Sequence, residues 1–212
     1  MEEPQIAKGE QTRQEILAAA KRLFLSQGFA ATPMHQIARA AGITKGAIYN
    51  HYPGKDQLFT AVLQDAAPYD ELFALWNSME ADSAEDLVRQ MFQALFAYVT
   101  EHQDYLQLAL IDGQERDGVA LATFLPELLP QDQMWYRRLV TLEAERGQAR
   151  MQVVPFLVFV RTMLSLVVGF MVTQRVVTPD RVPEMSGIDW AEALADVFSH
   201  GVLRPPGEMQ KK

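Results

Sequence analysis

An all-α fold is expected of this 212-residue chain on three grounds. Apolar residues recur three and four apart along most of its length, the spacing of one face of a helix. Thr, Ser and Asp stand before these runs and Gly or Pro after them, which cuts the chain into pieces of helical length. No alternating apolar–polar stretch long enough for a strand interrupts the pattern, and there is no internal repeat.

The elements follow in order. Residues 1–9 are polar and acidic, unlike a signal peptide, and read as a flexible arm. Thr12-Arg13-Gln14-Glu15 has the form of a capping box, with Ile16, Ala19, Ala20, Leu23 and Phe24 as the apolar stripe behind it. Gly28 suits the left-handed residue that ends this first helix. Thr32-Pro33 opens a second helix, with Thr as cap and Pro at its first position. Ile37, Ala38 and Ala41 form its narrow stripe, and Gly42 supplies the positive φ of a tight turn. Thr44 then caps a third helix, roughly Lys45 to Tyr52. Pro53-Gly54 stops it and a fourth begins near Lys55.

The third helix has two faces. Ile48 and Tyr52, four apart, pack inward on Ile37 and the first helix. Lys45, Ala47, Tyr49, Asn50 and His51 point away from the core. Two short helices joined by a glycine turn, the second presenting cations, hydroxyls and small residues, make a helix-turn-helix that reads DNA. Gly46 would let backbone approach the duplex, at a cost of about 1 kcal/mol in helix propensity. Ala47 is placed to touch a thymine methyl. Taken singly, a Tyr or Lys on a short helix is a solvated residue; in register with the caps and glycines they form a set.

Residues 12–63 resemble the TetR family of bacterial repressors. The resemblance rests on Phe24, Gly28-Phe29, Ala31-Thr32, Ile37-Ala38, and the run from Ala41 through Gly42-Ile43-Thr44-Lys45-Gly46-Ala47-Ile48-Tyr49-Asn50-His51-Tyr52 to Lys55. It implies that Lys45, Gly46 and Ala47 meet the major groove, and that Thr32, Thr44, Tyr49, His51 and Lys55 hold phosphates. Asn50 replaces the family's usual aromatic or His and Tyr52 its usual Phe. Asn50 stays in the DNA-binding set by position.

The charge distribution agrees. The chain holds 19 Lys and Arg against 27 Asp and Glu, for a net charge of −8, whereas residues 11–60 alone carry +4. A cationic end on an anionic body confines DNA to that end. With no cysteine, disulfides and Cys-ligated metal are excluded, and four scattered histidines give no metal-ligand spacing. No metal, cofactor or membrane partner is expected. His51 lacks a nucleophile or carboxylate partner nearby in sequence, His102 beside a helix break reads as a surface or cap residue, and no GxSxG or GxxxxGK[ST] is present, so the chain is not read as an enzyme.

Beyond residue 60 the pattern stays helical. Leu58, Phe59, Val62 and Leu63 continue the fourth helix to Pro68; Leu72, Phe73, Leu75 and Trp76 follow. Ser83 caps a helix striped by Leu87, Met91, Leu95, Tyr98 and Val99. His102-Gln103-Asp104 marks a break before a helix over 105–115. Gly113, Gly118, Pro126 and Pro130 punctuate a less regular region. Residues 131–147 form one more helix, with Trp135, Leu139 and Leu142 on a face.

The run 153–172 is apolar all round, but Arg161 near its middle speaks against a membrane span. One stripe is Phe156, Phe159, Val160, Met163, Val167, Phe170 and Met171; the other is Leu157, Arg161, Leu164, Val168 and Val172. Covering both calls for a partner chain. Asp189, with Glu192 three residues on, caps a last helix striped by Trp190, Leu194, Val197 and Phe198 and ended by Gly201.

The resemblance implies that the last two long helices form a four-helix bundle across a two-fold axis. Phe156, Phe159, Val160, Val167, Trp190, Leu194, Val197 and Phe198 are assigned to that homodimer interface. The expected organisation is a helix-turn-helix domain at 10–56, a helical effector-binding and dimerisation domain at 57–203, and loose tails at 1–9 and 204–212. The middle helices would hold a small, largely apolar effector, with Trp76, Tyr98, His102, Tyr105, Trp135, Tyr136, Arg161, Met163 and Phe170 as candidate lining. Arg161 is the ambiguous member: it contacts an acidic ligand, or it pairs with Asp112 or Glu115, the reading we favour. The expected function is a cytoplasmic repressor released from a palindromic operator in double-stranded DNA. The alternative is a protein-binding helical adaptor with a vestigial DNA head.

Overall fold

The computed structural model describes residues 3–67, 69–128, 134–145, 156–174, 176–178 and 180–203. They form the helices α1 Glu3–Gln27, α2 Met34–Ala40, α3 Lys45–His51, α4 Lys55–Asp65, α5 Tyr69–Ser78, α6 Ala84–Glu101, α7 Gln103–Glu115, α8 Val119–Leu128, α9 Met134–Glu145, α10 Phe156–Thr173 and α11 Trp190–Leu203, with a short 3-10 turn at Pro183–Met185. The fold is all-α, with no strand among the described residues. Two compact units result. One gathers α1–α4 with α7 and α8; the other gathers α5, α6 and α9–α11. A boundary at 56/57 therefore does not divide the chain as it folds.

In the first unit α1 packs on α2, α4 and α7, and α8 packs on α4 and α7. The core joins Ile16, Ala20 and Phe24 of α1, Ile37 and Ala38 of α2, Ile48 of α3, and Leu58, Phe59 and Val62 of α4 to Leu108 of α7 and Ala120 of α8. Phe24 meets the Phe59 ring edge-on at 4.9 Å, a favoured geometry for aromatic pairs.

Three details of this unit depart from expectation. The first helix begins at Glu3, so Thr12 and Glu15 lie inside it, with Gln11 donating to Glu15 at 3.0 Å. Pro4 does not prevent this, because a first-turn N–H has no helical partner to lose. Pro33, not Thr32, is the N-cap residue of α2. The region after Gly118 is helical as α8, which runs past Pro126 near its end; Gly118 makes the preceding turn with φ 73°.

In the second unit α6 is central, packed against α5, α9, α10 and α11. Ser83 caps it by accepting from the Asp86 N–H at 3.1 Å. Asp189 likewise caps α11, accepting from the Glu192 N–H at 3.0 Å. The Glu192 side chain does not complete a capping box. It turns to α6, pairing with Arg89 and accepting from Gln93 at 2.7 Å. Gly201 does not end α11, which continues to Leu203.

The α10 stripes separate as one internal and one external face, and the interface assigned from sequence falls mainly on the internal one. Phe159, Met163, Val167 and Met171 are buried in the protomer's own core, as is Phe198 of α11. Phe159 sits 5.3 Å from Phe198 and 6.1 Å from Trp135. Phe159, Val167 and Phe198 are thus core residues, while Val160, Trp190 and Leu194 are half-buried. The face left open carries Val158, Leu164 and Val172, with Val197 on α11 at 62% exposure. The Phe156 side chain lies outside the described residues, as do 1–2 and 204–212 of the tails and 131–133, 146–147 and 153–155 of the predicted helices. No helix among the described residues is long and apolar enough to cross a membrane.

Candidate nucleic-acid interface

Chain direction turns sharply between α2 and α3. Gly42, at φ 70°, allows it, and the Ile43 N–H reaches back to the Ala38 carbonyl at 3.0 Å. Thr44 then caps α3, its hydroxyl accepting from the Ala47 N–H at 3.2 Å. Ile48 and Tyr52 are buried beneath the helix, as their four-residue spacing predicts. Burial pushes the Tyr52 phenol up, and the Arg13 guanidinium beside it works against that rise.

With this base fixed, Thr44, Lys45, Gly46, Tyr49, Asn50 and His51 are all exposed on one short helix, and Ala47 is half-buried. The space a Cβ would take at Gly46 is open, so no protein neighbour demands glycine there. On α2, His35 and Arg39 are also exposed. Sequence reasoning omits both from the site; their positions on the side of α2 away from Ile37 and Ala38 are the available signal.

Two predicted phosphate anchors have other roles. Thr32 is 0% exposed; its hydroxyl donates to the Gly28 carbonyl at 2.7 Å and lies 3.4 Å from the Leu23 carbonyl. It closes the end of α1, where unpaired carbonyls need donors. Lys55 donates to the Phe29 carbonyl at 2.7 Å and the Ala30 carbonyl at 3.3 Å, and its ammonium stands 4.3 Å over the Phe29 ring. These contacts hold Lys55 against the α1–α2 turn, so neither residue is a freely reaching phosphate arm.

Of the nine candidate pocket residues, Tyr105 lies in the first unit and the other eight in the second. Trp76 meets Trp135 edge-on at 5.1 Å, and Tyr136 lies 5.8 Å from Trp135. Phe170 belongs instead with Phe96 and Trp190, each 5.2 Å away. Tyr98 and His102 stack on each other at 4.3 Å. Met163 is buried, whereas Arg161 is exposed on the other side of α10. Tyr105 packs against the core of the first unit. The two partners favoured for Arg161 have partners of their own: Asp112 accepts from Arg116, Ala120 and Leu121, and Glu115 from Ala30. Within the aromatic group, the buried Trp76 Nε1–H has no hydrogen-bond partner among the described residues.

Comparison with known proteins places this geometry among relatives. A family model described as bacterial regulatory proteins, tetR family, matches residues 16–62. The chain is 44% identical over 113 residues to the HTH-type transcriptional regulator SrpR of Pseudomonas putida, a stretch covering 53% of this chain and 52% of SrpR. It is 43% identical over 113 residues to the uncharacterized HTH-type transcriptional regulator TtgW, also of Pseudomonas putida, covering 53% of this chain and 83% of TtgW. The chain thus spans about half the length of SrpR and most of TtgW. Among solved structures, the fold is similar to NalD, the secondary repressor of the MexAB-OprM multidrug efflux pump in Pseudomonas aeruginosa. The TM-score is 0.58 at 23% identity, covering 92% of this chain and 98% of NalD.

Proposed function

This chain belongs to the TetR family of bacterial regulatory proteins, and from that premise we propose that it is a homodimeric, sequence-specific DNA-binding repressor acting in the cytoplasm. One observation carries the reading: a Thr44-capped α3 stands on buried Ile48 and Tyr52 and turns Lys45, Gly46, Tyr49, Asn50 and His51 outward. In this reading Lys45, Gly46 and Ala47 meet base edges. Thr44, Tyr49, Asn50 and His51 hold phosphates, which fix register without reading sequence.

A homodimer is supported by the open face of α10 and α11, where Val158, Leu164, Val172 and Val197 are exposed without contributing to their own core. In this reading the two α3 helices of an isologous dimer meet successive major grooves of a palindromic operator, about 34–36 Å apart. A small, largely apolar effector among the aromatic residues of the second unit would then release the operator, and the Trp76 N–H, unpaired among the described residues, offers it one hydrogen bond. Such a ligand shifts the equilibrium only by its difference in affinity between the DNA-competent and incompetent conformers.

Selection of bound duplexes from a random pool by the purified protein tests this reading. A palindromic consensus with half-site centres about 10 base pairs apart is expected. A pool that emerges without any enriched sequence would refute it.

A further inference from the structure

The C-terminal turn of α7 and the residue after it touch the DNA head at several points, all from residues more than fifty positions beyond α3. Asp112, fully buried, accepts from Arg116 Nη1 at 2.7 Å and from the N–H groups of Ala120 at 3.2 Å and Leu121 at 2.9 Å. It thereby closes the start of α8. Arg116, whose side chain is 3% exposed, also donates to Asp56 Oδ1 through Nε at 3.3 Å and Nη2 at 3.2 Å. Its guanidinium lies 4.9 Å from the Phe29 ring centre and 4.7 Å from that of Phe59. Glu115 accepts the Ala30 N–H at 2.6 Å, and its other oxygen lies 2.5 Å from where a Cβ on Gly28 would stand.

These contacts converge on the turn 28–32 and the first turn of α4. The turn sets α2 against α1, and α3 packs on α2. Ile48 is the one residue of α3 that is buried, so the helix has little of its own to fix its orientation. The Asp56 link is informative because the Asp56 side chain is 72% exposed. A pair with one partner in water adds little stability. It does, however, fix the guanidinium between two carboxylates and two rings. The Glu115 bond to Ala30 is directional in the same way.

We propose that Glu115 and Arg116 are positioning residues for DNA recognition, holding the α1–α2 turn and the start of α4 so that α3 meets the groove at a fixed pitch. The inference rests on the DNA-binding reading above. Recognition surfaces tolerate only small displacements of their supporting shell, which gives remote residues this influence.

The test uses the 212-residue protein with Glu115→Ala, Glu115→Gln, Arg116→Lys and Asp56→Ala. Each is titrated with the duplex that the wild type selects from a random pool and with a scrambled duplex of equal composition. Temperature is kept where circular dichroism finds every variant folded. Glu115→Ala and Arg116→Lys are expected to lower the selected-to-scrambled affinity ratio about tenfold, the effect of one lost charge-assisted bond. Glu115→Gln, which keeps an oxygen for the Ala30 N–H, is expected to hold the wild-type ratio. Asp56→Ala removes the Oδ1 that accepts from Arg116 but leaves the Asp112 pair intact, so it stays folded even where Arg116→Lys does not, and a lowered ratio is expected there too. Variants that melt earlier yet keep the wild-type ratio would overturn the inference while leaving the DNA-binding reading standing. A wild type that selects no sequence defeats that reading first, and the inference with it.

Discussion

Thr32 and Lys45 both carry groups that can bind phosphate, and burial separates them. Thr32→Val keeps the shape but leaves the Gly28 carbonyl without its donor, so a loss of about 1–2 kcal/mol is expected in denaturant unfolding, with little change in the salt dependence of DNA binding. Lys45→Ala should do the reverse: an unchanged melting temperature, and a slope of log affinity against log salt shallower by about 1. Gly28→Ala combines two penalties. At φ 81° a side chain costs about 1–2 kcal/mol, and the new Cβ displaces the Glu115 carboxylate from the Ala30 N–H. Calorimetry should find it less stable than Thr32→Val. At this scale the outward set of α3 was legible, because period and capping alone decide which way a short helix faces. The burial of Thr32 and the tether on Lys55 were not, since both depend on carbonyls of the 28–30 turn whose direction no local pattern encodes.

Among the elements three expected caps form, whereas Thr12 lies inside α1 and Pro33 stands where Thr32 was expected. Thr44, Ser83 and Asp189 each accept the N–H three residues on, and the helices start where those residues require. What the pattern could not decide was which side of an all-round apolar helix faces home. Both stripes of α10 are apolar apart from Arg161 on the second, and the aromatic partners Trp135 and Phe198 hold the Phe159 side as internal. Leu164→Glu and Val172→Glu should therefore yield a folded monomer, measured by sedimentation and circular dichroism together. Phe159→Ala should instead destabilise each protomer by about 3–5 kcal/mol. A Leu164→Glu protein that remains dimeric would place the partner elsewhere. Asp112 carries a legible clue to its true partner: it lies one turn after Leu108 on the buried side of α7, where a carboxylate needs a cation, and Arg116 stands one turn further on.

For the molecule as a whole, four phenols share one tendency. Burial pushes Tyr52, Tyr69 and Tyr136 up, and Tyr98 is pushed up to about 12. Their neutral forms are favoured when folded, so their contribution to stability is fully present below pH 10 and is lost as pH rises toward 12. Melting temperature should fall through that window, and Tyr69→Phe with Tyr98→Phe should flatten the fall. The all-α class was legible from periodicity and punctuation alone. The division into units was not, because α7 and α8 join the head by contacts distant in sequence, through Leu108 and Ala120 in its core.

That discontinuity bears on how such a regulator can be recombined. A crossover at residue 68 would hand a new host α1–α4 but strip away Leu108, Asp112, Glu115, Arg116 and Ala120, which the head's own core and turn require. On the DNA-binding reading, specificity is transferable only as two segments, 3–67 and 103–128, moved together. A chimera carrying both should fold around its old Phe29, whereas one carrying the first alone should not.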